Sequence, residues 1–335
     1  MQKKHFIIPV FIPQLACPFQ CTYCNQRSIS GKQKESSEKE IIEIIEKHLS
    51  TIPASNSVIE VAFFGGNFTG IQKGKQEKYL KLIQPYLKKG IIQGIRLSTR
   101  PDYINEDILN LLEENNVTTI ELGAQSMDDE VLKNSGRGHN SDDIINASKL
   151  IKQNGFSLGL QMMLGLPGDT LEKSVYTANK IIELNADNTR IYPTLVIKET
   201  ELEKRYHNKK YLPLSLEQAV EWTKEVYKVF EKTNVKILRM GLHPSEGLIS
   251  GESLVSGPFH VSFGELVMTA LWKEEFDSIQ KNDKENIILT VAENQFNFAI
   301  GYNASNKKML SEKFKKVRFV TDASLKGRNY HVDYC

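Results

Sequence analysis

Three cysteines near the amino terminus give the strongest chemical signal in the chain. Cys17, Cys21 and Cys24 follow a C-x3-C-x2-C pattern directly after an apolar stretch. A loop this compact can wrap three thiolates around one face of a four-iron cluster, which leaves the fourth iron without a protein ligand. A structural zinc site normally has four ligands, and no second cysteine or histidine pair lies at zinc-finger spacing. The pattern therefore favours an iron–sulfur cluster over zinc and over three buried small side chains.

Glycines and polar side chains follow four later runs of apolar and β-branched residues. Paired glycines let the backbone approach a ligand closely, and an arginine can make two parallel hydrogen bonds to a carboxylate. These positions are therefore candidates for binding a ligand next to the cysteine loop. They are Gly65, Gly66 and Asn67 after the second run, Ser98 and Arg100 at the third, Gln125 at the fourth, Arg137 beyond it and Gln161 in the fifth.

The elements that must position these residues are strands alternating with helices. Six strands are predicted over residues 7–12, 58–64, 95–99, 118–124, 157–164 and 189–196. Helices are predicted to begin at Ser37, Asn105, Asp142, Thr170 and Ser215. This alternation is typical of a parallel sheet with right-handed crossovers. We therefore expect an α/β fold, a partial (β/α)6 TIM barrel over residues 1–240, with the site at the carboxyl ends of its strands.

The pattern changes after residue 235. Residues 241–264 are rich in Gly, Ser, Pro and His, and residues 263–273 predict a helix. Short strands of an antiparallel piece are predicted over residues 287–291, 296–302, 317–321 and 330–334. We expect residues 241–335 to form a small α+β extension that caps the substrate end of the barrel.

Taken together, the cysteine loop and the strand-end motifs resemble those of the radical S-adenosylmethionine superfamily. Gly136-Arg137-Gly138-His139, with Gln125 and Gln161, is similar to one branch, the coproporphyrinogen dehydrogenases and the radical domain of the Elongator catalytic subunit. The first group more often has Asp where Gln161 stands, which favours the Elongator side. The resemblance implies a [4Fe–4S] cluster and S-adenosylmethionine, which is cleaved reductively to a 5′-deoxyadenosyl radical. It also implies an electron donor such as flavodoxin or ferredoxin.

The resemblance also implies a role for each candidate residue, with one departure from the family pattern. Asn67 replaces the usual glutamate, so a charged contact to the methionine ammonium is not implied. The roles carried over are iron ligation by Cys17, Cys21 and Cys24, adenine contact by Tyr23, ammonium binding by Gly65, Gly66 and Asn67, methionine or cofactor contact by Ser98, Arg100 and Arg137, and ribose binding by Gln125 and Gln161.

The sixth strand and the glycine-rich segment are left for the substrate. We expect Tyr192, His243 and His260 to be the catalytic residues there. In size and motif layout the chain resembles the queuine lyase group, which cleaves the cyclopentenediol from queuine and releases 7-aminomethyl-7-deazaguanine for queuosine salvage. The resemblance implies a carbon–nitrogen lyase acting on a deazapurine base. A free base needs few contacts, since stacking on an aromatic side chain contributes about 1 to 3 kcal/mol.

The charge distribution is also compatible with a second function. The chain has 43 Lys and Arg against 41 Asp and Glu, a formal net charge of +2, so it has no overall bias toward nucleic acid. A basic tail could still grip transfer RNA, and a radical tRNA-modifying enzyme is the first alternative. A non-catalytic iron–sulfur electron carrier or sensor is the second. The basic residues of the tail are Lys307, Lys308, Lys313, Lys315, Lys316, Arg318, Lys326 and Arg328.

The distribution of apolar residues predicts a cytoplasmic protein without a membrane partner. No uninterrupted apolar run approaches the roughly 18 residues that a transmembrane helix needs. The amino-terminal apolar stretch is broken by Pro9 and Pro13, which argues against a secretory signal.

Overall fold

The computed structural model describes residues 4–12, 17, 21–25, 36–53 and 55–335. The strands are β1 (Lys4–Phe11), β2 (Ser57–Phe64), β3 (Gly94–Thr99), β4 (Val117–Gln125), β5 (Ser157–Leu164), β6 (Asn188–Pro193), β7 (Val196–Ile197), β8 (Lys236–Met240), β9 (Leu254–Ser256), β10 (Asn286–Val291), β11 (Lys316–Thr321) and β12 (Tyr330–Tyr334). The α-helices are α1 (Glu38–Leu49), α2 (Lys73–Lys88), α3 (Glu106–Glu114), α4 (Asp129–Asn134), α5 (Ser141–Gln153), α6 (Leu171–Glu183), α7 (Glu201–His207), α8 (Leu216–Glu231), α9 (Glu246–Ile249), α10 (Phe263–Asp277), α11 (Phe296–Ile300) and α12 (Ser305–Lys313).

Seven parallel strands form the main sheet in the order β1-β2-β3-β4-β5-β6-β8. The sheet is a curled half-barrel with helices, which confirms the predicted α/β class and the partial barrel. The six predicted strands correspond to β1 to β6. The seventh, β8, was missed because it is an edge strand in which no side chain is fully buried, so it lacks a continuous apolar run.

Local sequence explains where the helices begin. Ser37 and Ser215 accept a hydrogen bond from the third residue of α1 and α8 and complete capping boxes, as predicted. Asn105 and Thr170 cap α3 and α6 in the same way. The predicted start at Asp142 was wrong by two residues, since the cap of α5 is Asn140 and the helix begins at Ser141.

The strands alternate between two faces with different chemistry. One face is apolar and packs against the helices to form the main core. On that face Ile8, Val61, Leu97, Ile120 and Leu160 are fully buried. The opposite face, which we call the inner face, carries polar and charged side chains, because neighbouring residues in a strand point to opposite sides.

A buried ion-pair network crosses the inner face. Arg96 of β3 donates to Glu60 of β2 at 2.9 Å and to Glu121 of β4 at 2.6 Å. Arg190 of β6 donates from Nε to the other Glu121 oxygen at 2.9 Å. His5 of β1 lies 2.9 Å from Glu60. Burial alone would raise the pKa of Glu60, but Arg96 outweighs it and holds that pKa below its usual range.

Glycines make room for this network. A Cβ on Gly159 would lie 2.8 Å from Cγ of Glu121, and one on Gly94 would lie 2.5 Å from Oγ1 of Thr118. A larger residue at either position would push against the buried charged groups or the residues beside them. The spacing of the ion pairs therefore depends on small residues in the strands beside them.

The carboxyl-terminal segment contains a second apolar cluster that includes Trp272, Phe276, Leu289 and Phe314. Its three-stranded sheet has the order β11-β10-β12. The predicted antiparallel arrangement is correct for β10 and β12. It was wrong for β10 and β11, which pair in parallel. The predicted boundary at residue 240 stays a prediction.

The strand predicted over residues 296–302 was also wrong. Residues 296–300 form α11, and Gly301 ends it with a φ of +87°. The alternation Phe296-Asn297-Phe298 imitates a strand pattern. The helix forms because it buries Ala299 completely and packs Phe296 and Phe298 against the second cluster.

None of the helices that the structure describes combines the length and hydropathy that a bilayer-spanning segment requires.

The ion-pair network should dominate the stability of the inner face. Replacing Arg96 with Met would leave Glu60 and Glu121 without their shared cation, which should lower the free energy of unfolding by roughly 3 to 5 kcal/mol. Urea denaturation of the apo protein measures this. The control is Lys39→Met, which removes an exposed pair with Glu43 and should cost less than about 0.5 kcal/mol. A loss below about 1 kcal/mol for Arg96→Met would contradict the prediction.

Candidate cofactor and substrate site

Backbone hydrogen bonds hold the cysteine loop against two helices. Thr22 donates to the carbonyl of Ser135 at the end of α4, and its own carbonyl accepts from Leu202 in α7. The Cys24 amide donates to the Cys21 carbonyl at 3.0 Å, which closes a tight turn. Cys21 is buried, Cys17 and Cys24 are half-buried, and residues 18–20 lie outside the described residues.

Arg137 joins this loop to the sheet. Its Nη1 donates to the Cys21 sulfur at 3.2 Å and to the Tyr23 hydroxyl at 3.4 Å. Its Nη2 donates to the Gly123 carbonyl at 2.6 Å. Burial lowers the pKa of Arg137, but Tyr23 and Cys21 raise it by more, so the guanidinium stays charged. Burial raises the pKa of Tyr23 against the effect of Arg137, so the phenol stays neutral.

Gln125, the last residue of β4, meets Gln161, which lies within β5. Nε2 of Gln161 donates to Oε1 of Gln125 at 2.8 Å. Gln125 has a φ of +72°, and the β4 register shifts between Gly123 and Gln125. A non-glycine residue in this conformation is strained, and such residues are concentrated at functional sites. The shift lets the Gln125 side chain reach Gln161 on the same side of the sheet as Arg137.

The glycine pair after β2 has a geometric requirement. Gly65 has a φ of +91°, and a Cβ there would lie 2.8 Å from the carbonyl oxygen of Ile12. Gly66 has a φ of +101°. These values favour glycine and bring the backbone of this loop close to the end of β1.

Asn67 and Arg100 tie neighbouring strand ends together. Oδ1 of Asn67 accepts from the Thr99 hydroxyl at 2.6 Å and from the Arg100 amide at 3.3 Å. The Arg100 guanidinium makes a bidentate pair with Asp102 and donates to the Arg137 carbonyl at 2.7 Å. Their predicted contacts to methionine stay predictions. In this structure both side chains hold the loops around Arg137. Ser98 lies half-buried on the inner face of β3.

The predicted substrate residues are divided between two places. Tyr192 packs in one apolar cluster with Cys21, Tyr23 and Met163, so the structure brings it to the cysteine loop. His243 is exposed. His260 packs edge-on against Tyr302, with ring centroids 5.2 Å apart, and so contacts the carboxyl-terminal segment. The catalytic role of these residues stays a prediction.

A cavity of about 430 Å³ lies beside the loop that follows β5. Gly165, Leu166, Tyr211 and Trp222 are among its lining residues. Asp169 holds the loop by accepting from the Gly165 amide at 2.8 Å, and burial raises its pKa to about 6. This cavity borders the cysteine-loop cluster through Leu166 but contains none of the predicted catalytic residues.

The sequence did not reveal Arg239 on β8. It lies in register with Arg190, and Nε and Nη2 donate to the carbonyls of Gly241 and Leu242. Arg239 was missed because β8, the strand that carries it, was not predicted from the sequence. Once β8 is placed beside β6, the register puts Arg239 on the inner face.

The chemistry of the three cysteine side chains fits an iron–sulfur cluster, but their positions in the described structure do not form a metal site. No three His, Cys, Asp or Glu side chains in the described part of the chain form a group that could hold a metal ion. The donor set is nevertheless three thiols on one short loop, with the charged Arg137 against one of them. Nε of Arg137 is buried without a partner in the described structure, as expected for a group that meets a ligand.

Comparison with known proteins places the chain in a family. The Radical SAM superfamily model matches residues 11–181, and the Radical_SAM C-terminal domain model matches residues 186–273. The chain therefore belongs to the radical SAM superfamily, whose members use a [4Fe–4S] cluster and S-adenosylmethionine. This confirms the resemblance and the two cofactors predicted from the sequence.

Individual relatives lie on both sides of the predicted branch. The tRNA uridine(34) acetyltransferase of Methanocaldococcus infernus is 35% identical over 128 residues, which are 37% of this chain and 24% of that protein. The heme chaperone HemW of Bacillus subtilis is 25% identical over 193 residues, 55% of this chain and 49% of that protein. The chain thus spans about a quarter and about half of these two relatives.

A solved structure has the same fold. The archaeal Methanocaldococcus infernus Elp3 with an N-terminal deletion superimposes with a TM-score of 0.67 at 23% identity, covering 82% of this chain and 64% of that chain. At this identity the likeness establishes the half-barrel and its topology.

Cluster assembly tests the thiol ligands. Anaerobic reconstitution should load about four irons and four sulfides, and replacing Cys17, Cys21 or Cys24 with Ala should abolish loading because the loop supplies only three thiolates. Iron and sulfide analysis with visible absorption measures this. The exposed Cys335 provides the control, and Cys335→Ala should load normally. Normal loading in Cys21→Ala would show that the ligand assignment is wrong.

Acid should destabilise the site through His139. Burial, Arg137 and Arg100 lower the pKa of His139 to about 3, so the folded imidazole stays neutral. The unfolded chain binds a proton near pH 6.5 that the folded chain excludes, so stability falls as pH drops below that value, by about 2 kcal/mol at pH 5.

The variant His139→Gln should remove this contribution. The difference in unfolding free energy between the wild type and His139→Gln should change by about 2 kcal/mol between pH 7 and pH 5. Denaturation of the apo proteins at both pH values measures it. His207→Gln, at a ring that is 63% exposed, serves as the control. A constant difference across this pH range would count against a buried neutral imidazole.

Proposed function

We propose that this chain is a radical enzyme that removes a hydrogen atom from a small deazapurine base, with queuine as substrate and carbon–nitrogen cleavage as the reaction. The observation that carries the proposal is that Tyr192, which is half-buried, packs against the buried cluster that contains Cys21 and Tyr23. It joins the candidate substrate residue on β6 to the cysteine loop. When bound, the cluster and S-adenosylmethionine supply the 5′-deoxyadenosyl radical.

On the cofactor side, we assign side chains and backbone groups of this chain to binding and orienting S-adenosylmethionine. We assign Gln125 and Gln161 to ribose hydroxyls, because their side chains meet. Arg137 is assigned to the methionine end, since its charge is kept next to Cys21. The Gly65 and Gly66 backbone is assigned to the methionine ammonium, and Tyr23 to the adenine.

On the substrate side, enclosure is the main contribution. Burial raises the pKa of Tyr192, with Arg190 opposing it, so the phenol stays neutral and can donate a hydrogen bond. Met163 and Leu166 pack in the same cluster and exclude water from this end of the sheet. A reactive radical needs such exclusion, because side reactions are otherwise faster than the intended hydrogen transfer. His243 and His260 are proposed to contact the substrate as the glycine-rich segment covers it.

Two of the eight basic residues of the tail are already paired with carboxylates. Arg328 pairs with Glu231 and Glu275, and Lys315 pairs with Glu285. These cations of the tail are therefore already engaged by carboxylates. Counterion release requires cations that are available to phosphates, so the engaged ones contribute little.

A tRNA-modifying enzyme remains the second candidate. It is favoured by the acetyltransferase relatives, whose name specifies tRNA uridine(34). Exposed lysines of the carboxyl-terminal segment would make the phosphate contacts. They are Lys307, Lys308, Lys316 and Lys326. An electron-carrier or sensor role has less support, because it would not need the ordered polar groups around Arg137. For the enzyme, a small electron-transfer protein such as flavodoxin or ferredoxin is the proposed reductant, and the cytoplasm the proposed location.

Deuterium transfer tests the substrate. Cluster-loaded protein, incubated anaerobically with S-adenosylmethionine, dithionite and ring-deuterated queuine, should yield deuterated 5′-deoxyadenosine and 7-aminomethyl-7-deazaguanine. Hydrogen abstraction requires near contact between the radical carbon and the reacting C–H bond, so transfer reports a substrate held beside the cofactor. Mass spectrometry detects both products.

The controls separate the candidates. Cys21→Ala should give neither product. Tyr192→Phe should bind S-adenosylmethionine normally and turn over queuine more slowly. Intact cofactor binding with no deuterium transfer would remove queuine, and steeply salt-dependent binding of tRNA would then support the second candidate.

A further inference from the structure

A row of residues in register crosses the inner face of the sheet. Gly123, Gln161, Arg190 and Arg239 lie in register on four neighbouring strands, β4, β5, β6 and β8. Residues in register on parallel strands point to the same side of the sheet. The first two belong to the proposed cofactor side, so the last two lie at the substrate end of the same row.

Within the strands of the inner face, Arg96 and Arg190 are balanced by carboxylates, whereas Arg239 is not. Glu60 and Glu121 carry two negative charges, and Arg96 and Arg190 pair with them. Arg239 is half-buried, and among the described residues no carboxylate forms an ion pair with it. Its partners are two backbone carbonyls, which fix the guanidinium without neutralising it. A partly buried cation without a counter-charge is costly, and that cost falls when an acceptor is bound.

Side chains that donate hydrogen bonds or carry positive charge lie within electrostatic range of Arg239. Arg190 and Tyr192 on β6 and His243 beyond β8 all interact electrostatically with its charge. The phenol of Tyr192 is neutral, since burial raises its pKa. His243 is exposed at the surface, and the covered part of its side chain together with the charge of Arg239 lowers its pKa. Arg239 and Tyr192 therefore present N–H and O–H groups to the same region.

We infer that Arg239 is a substrate-recognition residue that donates hydrogen bonds to an acceptor oxygen of the substrate. The inference rests on the proposed function, and in a deazaguanine the oxygen concerned is the 6-oxo group. Arginine is suited to this role because its guanidinium donates several N–H groups and has no acceptor; position 7 of a deazaguanine is a carbon, so the 6-oxo oxygen is the only acceptor on that edge of the base. A 6-amino group would instead place a donor against donors and leave the guanidinium without its acceptor.

A pair of bases tests this inference without relying on turnover. Cluster-loaded protein with S-adenosylmethionine is titrated with 7-deazaguanine and with 2,6-diamino-7-deazapurine, which differ at the position that Arg239 should recognise. The wild type should bind the 6-oxo base at least roughly tenfold more tightly, the discrimination expected from one good polar contact. In Arg239→Gln this ratio should fall below about threefold.

The ratio distinguishes recognition from a structural role. Loss of the carbonyl contacts at Gly241 and Leu242 would weaken both bases equally and leave the ratio unchanged, which would overturn the inference. Arg239→Lys should keep part of the preference, because it retains a donor and the charge. Arg318→Gln, at an exposed position on β11, is the matched control and should keep the full ratio. If neither base binds the wild type while S-adenosylmethionine does, the proposed function itself fails, and the inference with it.

Discussion

The pairing of Arg96 with Glu60 and Glu121 is the constraint on which the rest of the half-barrel depends. The outer face of the sheet is apolar and packs against helices. Side chains must also fill the space over the inner face, and a site for a polar ligand requires that some of them be polar. Two carboxylates and two arginines meet that need only if each charge reaches its partner inside the protein. The network therefore fixes the spacing of β2, β3, β4 and β6, and with it the positions of the loops that follow them.

Above the network, the site is built from loops that hold one another in place. Arg100 binds Asp102 and the Arg137 carbonyl, and Arg137 in turn binds Cys21 and Gly123. Each loop thus depends on a neighbouring one rather than on its own hydrogen bonds. Such mutual support explains how a strained Gln125 is tolerated, since the surrounding contacts over-determine its conformation.

Much of the fold could be predicted because it depends on local patterns. The buried strands β1 to β6 have apolar runs, and helix caps such as Ser37 have a distinctive sequence. Predictions failed where long-range packing decides: β8 has no fully buried residue, and α11 was chosen because Ala299 fits against the second apolar cluster.

The candidate site was predictable in part for the same reason. Cys17, Cys21, Cys24 and the glycine pair are close in sequence or follow a strand, so spacing reveals them. Arg239 matters only through its register with Arg190, and the partners of Arg96 lie 36 and 25 residues away in sequence. No local signal reports such contacts, because they exist only after the strands have paired.

Helix α10 has a consequence for how the molecule holds together. Its Phe263 and Val267 pack with Ala219 of α8 against the barrel, whereas its Trp272 and Phe276 belong to the second cluster. Helix α10 therefore contributes side chains to two apolar clusters. Melting either core removes packing surface from the other, so we expect the carboxyl-terminal segment and the half-barrel to share one cooperative transition. A chain cut after β8 would leave the apolar side of α8 facing water, so the half-barrel needs the packing surface that α10 supplies.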